Sequence, residues 1–349
     1  MKKESLVLNI RVNEDRYMRR AQLTATPTGP AITEGDRARA AYPRSWPTVG
    51  AAGTTVFLWA SAFVGIRFAG HDYSPGAMAL GRMAAASIAL SAFVAFTAGV
   101  RRRSTRPQHA LPGPDAAAPR RAALPRGGTL GLIAVWGVAW FGGYNVALNA
   151  AERLVDAGTA ALLVAVAPIL VAVAAVLVLN ERLTGRLGVG VAIAFAGVAL
   201  IAASGFTGHA DKVGVALAVL SALLYAFGVL LQKRLLARVD AVTMTWLGAL
   251  AGTAALLPFA PTLLGELATA PPPATLGMLY LGVFPTAIGF LTWGYVLSRW
   301  TAGRTTAATY LAPPVTVLLS WTLLGEVPAP LALLGGSLCL TGVVLATRR

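Results

Sequence analysis

Apolar residues fall into ten blocks after residue 48: 50–69, 75–99, 129–150, 157–179, 186–204, 213–232, 241–262, 274–297, 303–324 and 328–347. Each block is about 20 residues, the length a helix needs to cross some 30 Å of hydrocarbon. Lipid offers backbone N–H and C=O groups no partner, so each block is predicted to be a helix that satisfies them internally. The pattern therefore specifies an all-α polytopic membrane protein with ten transmembrane helices. The seventh block is the weakest, because Pro258 and Pro261 interrupt its end. Polar sequence occupies the rest. Residues 1–47 mix Arg, Glu, Thr and Pro and read as a disordered basic tail. Residues 101–128 open on three arginines, continue in Pro/Ala-rich sequence, and read as a solvated link. No apolar run precedes residue 48, so no secretory signal is predicted.

The blocks repeat. Shifting 151–204 by 145 residues onto 296–349 places Ala167-Pro168 on Ala312-Pro313, Glu181 on Glu326, and Gly158, Gly190 and Gly197 on Gly303, Gly335 and Gly342. At a shift of 146, Thr129-Leu130-Gly131 falls on Thr275-Leu276-Gly277. The matches lie on residues with backbone or charge consequences, in sequence otherwise rich in Ala, Leu and Val. The chain thus divides into a first five-helix repeat, 50–204, and a second, 212–347. Five is odd, so the second repeat starts on the opposite side of the membrane. That is the inverted-repeat plan of secondary transporters, whose site lies near the midplane between the halves.

Charge sets the orientation. With the N-terminus in the cytoplasm, that side collects 25 of the 29 Lys and Arg residues, and the far side only Arg67, Arg153 and Lys212. Cytoplasmic loops favour Lys and Arg, which puts both termini in the cytoplasm of a multi-pass protein of the cell membrane. Charged residues make up 12% of the chain, against roughly 25% in a soluble domain. The net charge of +15 lies in links that meet anionic headgroups of the lipid bilayer. No basic face interleaved with aromatics exists to track nucleic acid. The lone Cys339 permits no intramolecular disulfide or CxxC metal site. The histidines, His71, His109 and His209, all lie in links. Neither a catalytic set nor a metal or cofactor site is apparent.

Chemistry inside the spans concentrates on a few residues. Arg82 is the one charged side chain well within a span, about 12 Å from its outer end at 1.5 Å per residue. Its planar fork suits a carboxylate or phosphate, which makes it a candidate substrate anchor; the alternative is a structural arginine bonded to a neighbouring broken helix. Asn145 and Asn149 share one helix face beside Tyr144 and are candidates to line a cavity or to bond helix to helix. Trp59, Tyr225, Trp293, Tyr295, Tyr310 and Trp321 lie within or near spans; some read as headgroup-belt aromatics, and Tyr225, Trp293 and Tyr310, which lie deeper, are candidates to line the cavity and bind substrate. Pro168 and Pro313 are candidate hinges or fixed kinks. Glu181 and Glu326 sit at helix ends as interfacial acids, suited to capping, anchoring or protonation. No Asp or Glu lies at mid-membrane depth, which leaves interfacial proton or ion coupling, facilitated diffusion and exchange all open.

These residues carry a resemblance. Leu58 to Phe63 with Arg67, Arg82 following Ser74-Pro75, Ala147 to Arg153, Asp156 to Leu163, the Ala-Pro pair with Leu179 to Leu183, and Ala312-Pro313 through Leu324-Gly325-Glu326 form an ordered set. This set is similar to the EamA family of the drug/metabolite transporter superfamily over roughly 50–347. The resemblance implies ten helices around a central cavity and transport, often outward, of small metabolites such as amino acids or their derivatives. The expected partner is a small-molecule metabolite; a homo-oligomer is compatible with it. No Gly-x-x-x-x-Gly-Lys-Ser/Thr loop is present to hydrolyse ATP, so a permease driven by gradients is expected. An intramembrane enzyme would need nucleophile and base, or metal ligands, at membrane depth. A membrane sensor or assembly protein would be expected to carry a folded soluble domain.

Overall fold

The computed structural model describes residues 46–104, 125–167, 169–171, 174, 185–203, 211–300 and 302–347. Regular structure among them is entirely helical. In chain order the helices are α1 (Trp46–Ala69), α2 (Pro75–Ser104), α3 (Gly128–Ala151), α4 (Ala157–Val164), α5 (Gly185–Ala203), α6 (Lys212–Leu235), α7 (Ala241–Thr269), α8 (Pro272–Arg299), α9 (302–324) and α10 (Pro330–Thr347). Six of these, α1, α2, α3, α6, α7 and α8, are long and apolar enough to cross a bilayer. The others are shorter apolar helices, and those of α4 and α5 run beside residues outside the description. Large apolar side chains such as Ile88, Phe96, Leu264 and Leu276 stand exposed on the outside, a surface that water would penalise and lipid does not.

Helix starts follow local capping chemistry. Asp156, Asp211 and Asp240 precede α4, α6 and α7, and their carboxylates accept from Thr159 N, from Val213 and Gly214 N, and from Thr243 N. Two boundaries differ from expectation. Helix α2 runs through Ser104, four residues into the expected link, and α7 continues to Thr269 rather than weakening at its prolines. Pro258 and Pro261 each occupy the first or second position of a fresh helical segment, where no backbone donor is missed.

Two helices carry a wide π turn in the middle: α3 at Val138–Tyr144 and α8 at Gly282–Ile288. They lie 144 residues apart (282 − 138), close to the repeat offset. Pro285 lacks a backbone N–H and opens the second. In both, a polar side chain bonds the carbonyl five residues back. Asn145 Nδ2 donates to Trp140 O (3.3 Å) and Phe141 O (2.9 Å); Thr286 Oγ1 donates to Leu281 O (2.8 Å).

Helices α5 and α10 interlock on the repeated glycines. A Cβ placed on Gly197 would overlap the Gly335 carbonyl and lie 2.6 Å from Cys339 Sγ; one on Gly342 would lie 2.5 Å from Gly190 O. Gly197 thus meets Gly335 while Gly190 meets Gly342, so the two helices run antiparallel. Helices α2 and α7 also run antiparallel: Ser87 bonds Thr253 (2.8 Å), and Ser91 accepts from Trp246 Nε1 (2.9 Å).

Candidate functional site

A cavity with about 60 Å³ open to the centre of a water molecule lies within the bundle, walled by α1, α2, α3, α4, α6, α8 and α9. That is room for several waters, at about 10–15 Å³ each. Its walls are aromatic. Trp59 stands 5.3 Å from Phe290 and 6.0 Å from Tyr225, and Trp140 lies 5.2 Å from each of the same two rings. The rings meet edge-on or tilted, the arrangement their quadrupoles favour. Trp59 is held in place by its Nε1, which donates to the Pro285 carbonyl at 3.2 Å inside the wide turn of α8.

Arg82 supplies the one charged group of the lining. It is 4% exposed, and its Nε donates to Thr286 Oγ1 at 2.7 Å. Thr286 is therefore a relay: the wide turn of α8 frees the Leu281 carbonyl, Thr286 occupies it, and the same hydroxyl oxygen receives Arg82. The Nη1 of Arg82 has no hydrogen-bond partner. A buried guanidinium donor without an acceptor is costly to leave so, and its chemistry suits an anionic acceptor. Thr286→Val would remove the anchor while keeping the shape. We expect it to weaken apparent substrate affinity about tenfold at matched protein levels, the scale of one charge-assisted hydrogen bond, and to lower stability because the Leu281 carbonyl loses its partner too. An unchanged affinity in a transport or binding titration would show that Thr286 does not position Arg82.

The sequence-derived candidates separate here. Arg82, Tyr144, Tyr225 and Pro313 line the cavity. Asn145 and Asn149 do not: Asn145 closes the wide turn of α3, and Asn149 Nδ2 donates to Pro75 O at 3.0 Å, bonding α3 to α2. Trp293 stands behind the wall, its ring tilted 38° against Trp59 at 4.9 Å and its Nε1 donating to Gln232 Oε1 at 2.9 Å. Tyr310 is half-buried next to the lining residue Thr309. Pro168 and Glu181 fall outside the described residues.

Glu326 joins a polar clasp at one end of the bundle. Arg67 Nε donates to its two carboxylate oxygens at 2.9 and 3.2 Å, while Arg67 Nη1 donates to the Glu152 carbonyl at 2.7 Å. One arginine at the end of α1 thereby ties the α3–α4 turn to the α9–α10 turn. Gly325, at φ 69°, ends α9 in the left-handed conformation that glycine adopts without strain, and Glu326 follows it directly.

The sequence left Trp59 between headgroup belt and cavity, and did not single out Trp140, Phe63 or Phe290. Tyr144 and Trp140 lie four apart on α3, a spacing available in the sequence. That they face Trp59 and Phe290 across a cavity depends on the two wide turns.

Comparison with known proteins places this geometry. The EamA-like transporter family matches residues 47–203 and again 212–348. A probable terminal-alkyne amino-acid exporter of Streptantibioticus cattleyicolor is 40% identical over 299 residues, covering 84% of this chain and 91% of that one. The transporter YdfC of Bacillus subtilis is 31% identical, covering 82% and 86%. A probable amino-acid metabolite efflux pump of Escherichia coli is 24% identical, covering 55% and 67%. A protein crystal structure 19% identical in sequence superposes with a TM-score of 0.56 over 87% of this chain and 97% of that one, a likeness of fold alone.

Proposed function

Because the chain belongs to the EamA-like transporter family, and is thus a multi-pass membrane transporter and not an enzyme, we propose that it exports small amino-acid metabolites with an apolar, unsaturated side chain. The observation that carries this reading is the partnerless Nη1 of Arg82 on the cavity wall. A substrate carboxylate there would satisfy a donor that the protein leaves unmet. The remaining wall, Trp59, Phe63, Trp140, Tyr225 and Phe290, offers ring faces and edges to a slim apolar side chain. The 40% identical relative, named for terminal-alkyne amino acids, favours the same chemistry.

The architecture in this reading is ten transmembrane helices in two inverted five-helix repeats, 50–204 and 212–347, with both termini cytoplasmic. Equivalent helices of such repeats, related by an axis in the membrane plane, run in opposite directions. The antiparallel pairing of α5 with α10 and of α2 with α7 supports this, as do the wide turns at equivalent places in α3 and α8. Alternating access then follows from exchanging the conformations of the halves, with Pro313 and the wide turns as places where helices bend. The clasp of Arg67 on Glu326 and Glu152 would close the external end of the cavity, since the basic links lie at the other side.

The reading is tested in bacterial cells expressing the full chain and loaded with L-propargylglycine, an alkyne amino acid, beside the proteinogenic amino acids. Mass spectrometry of cells and medium should show faster loss of the alkyne or another apolar amino acid than from cells with empty vector. Equal loss of every probe would overturn it. Reporter fusions between 105 and 124 should lie in the cytoplasm, and those near Asp211 outside.

A further inference from the structure

Among the described residues, Glu152 is a buried carboxylate with neither side-chain oxygen hydrogen-bonded. It directly follows α3 and is 1% exposed. Its backbone is engaged on both sides, the N–H donating to Leu148 O at 3.0 Å and the carbonyl accepting from Arg67 Nη1, while the side chain is not. Its position is set by α3. Tyr144, Leu148 and Glu152 are spaced by four and fall on one face; Tyr144 and Leu148 line the cavity, and Glu152 lies one turn beyond that lining, ending the row in helical conformation (φ −72°, ψ −6°). The charged and titratable groups around it come from every side: Arg67 of α1, Arg82 of α2, Tyr144 of α3, Asp156 of its own turn and Glu326 after α9.

An ionised carboxylate in such a place must find a cation, because burial removes its water and nothing replaces it. Arg67 is already committed to Glu326, and Arg82 to Thr286 through Nε. Burial pushes the Glu152 carboxyl well above the ordinary carboxylate range, with the guanidiniums of Arg67 and Arg82 opposing that shift. The group therefore holds a proton at pH values where ordinary carboxylates do not, until another cation is offered.

We propose that Glu152 is the ammonium-binding and proton-binding residue of this transporter, taking either the substrate's ammonium group or one proton, so that an outgoing amino acid exchanges for an incoming proton. This rests on the reading of Arg82 as the carboxylate anchor and adds the second half of a zwitterion site. An α-amino acid carries an ammonium and a carboxylate group on one carbon, and Arg82 Nη1 and the Glu152 carboxyl have the matching signs. Binding the zwitterion expels the proton from Glu152. Protonation of Glu152 from the external side, next to the Arg67 clasp, displaces the ammonium and releases the substrate outward. The balance is one proton in for one zwitterion out, with no bond made or broken beyond the O–H of Glu152. The sign of the pH dependence follows. Affinity is full above the raised pKa of Glu152 and is lost as pH falls through it.

The test uses the purified full chain in detergent, with L-propargylglycine and the proteinogenic amino acids as probes. Binding is read by quenching of the tryptophans around the cavity, and proton release by a pH dye in weak buffer. Wild type should release about one proton for each probe bound, and its affinity should fall about tenfold per pH unit on the acid side. Glu152→Gln should bind more weakly, release no proton and show a flat pH profile, and Glu152→Asp should restore the release. Should Glu152→Gln not fold, wild type and Glu152→Asp alone decide the matter by release and slope. Probe binding by wild type without proton release, or equal release by a folded Glu152→Gln, would overturn the proposal and leave Arg82 as anchor. Failure of wild type to bind every probe at every pH would overturn both.

Discussion

Arg82→Ala is expected to cut transport of a carboxylate substrate about a hundredfold at matched membrane levels. Two charge-assisted hydrogen bonds from a buried guanidinium contribute about 3 kcal/mol or more, and each 1.4 kcal/mol is a factor of ten. The variant removes the one charge in the lining, so no neighbouring group can substitute. Thr286 would still hold the Leu281 carbonyl, so the wide turn of α8 should survive and the protein should remain folded. Arg82→Lys keeps the charge but lacks the fork that serves Thr286 and substrate together, and it should recover only part of the activity. The measurement is efflux of L-propargylglycine, or of whichever apolar amino acid the intact chain exports, from loaded cells. Wild-type efflux by Arg82→Ala would refute its role as anchor and reduce Arg82 to a bond between α2 and α8.

Gly197→Leu is expected to remove most of the folded protein. A Cβ alone at this position would fall on the Gly335 carbonyl and against Cys339. The obstruction is largely backbone, which cannot rotate aside, so α5 and α10 must separate. Overpacking of this kind costs about 3 kcal/mol or more, which would lower the thermal midpoint in detergent by about 6–12 °C. Gly131→Leu is the control: it lies on an exposed stretch of α3 with nothing within 4 Å of an added Cβ, and it should leave the midpoint unchanged. Equal midpoints for the two variants would show that the glycine seam between α5 and α10 does not hold the fold together.

Much of the site escaped a reading of composition and spacing, and the reasons differ by residue. Arg82 stood out because a charge in hydrocarbon is costly wherever it points. Asn145 and Asn149 stood out for the same reason, yet polarity does not state direction. The structure gives them to the freed carbonyls of a wide turn and to Pro75. Trp59, in the middle of the first block, did not stand apart from the other span aromatics because a residue type does not say which way its ring points; the ring lies on the cavity wall. Glu152 drew no notice because it lies just past a span, where carboxylates are ordinarily wet. Its burial comes from α1, α2 and the α9–α10 turn, all distant in sequence.

The sequence by itself determined the number and length of the apolar blocks, the helical state of those the structure describes, and the duplication. Each follows from local or additive physics: hydrocarbon thickness, backbone hydrogen bonding without water, and the recurrence of Pro, Gly and Glu at a near-constant offset. Tertiary structure alone decided which faces meet. It made α5 and α10 an antiparallel glycine seam, opened α3 and α8 into wide turns at equivalent places, and turned Trp59, Trp140, Tyr225 and Phe290 toward one cavity. It also left Arg82 Nη1 and the Glu152 carboxylate without partners in the same bundle. Helices that are apolar on every side carry no stripe to say which side is inward, because lipid and protein interior are equally dry. Rotation and partner choice then rest on small-residue packing and single hydrogen bonds, which exist only once the helices have come together.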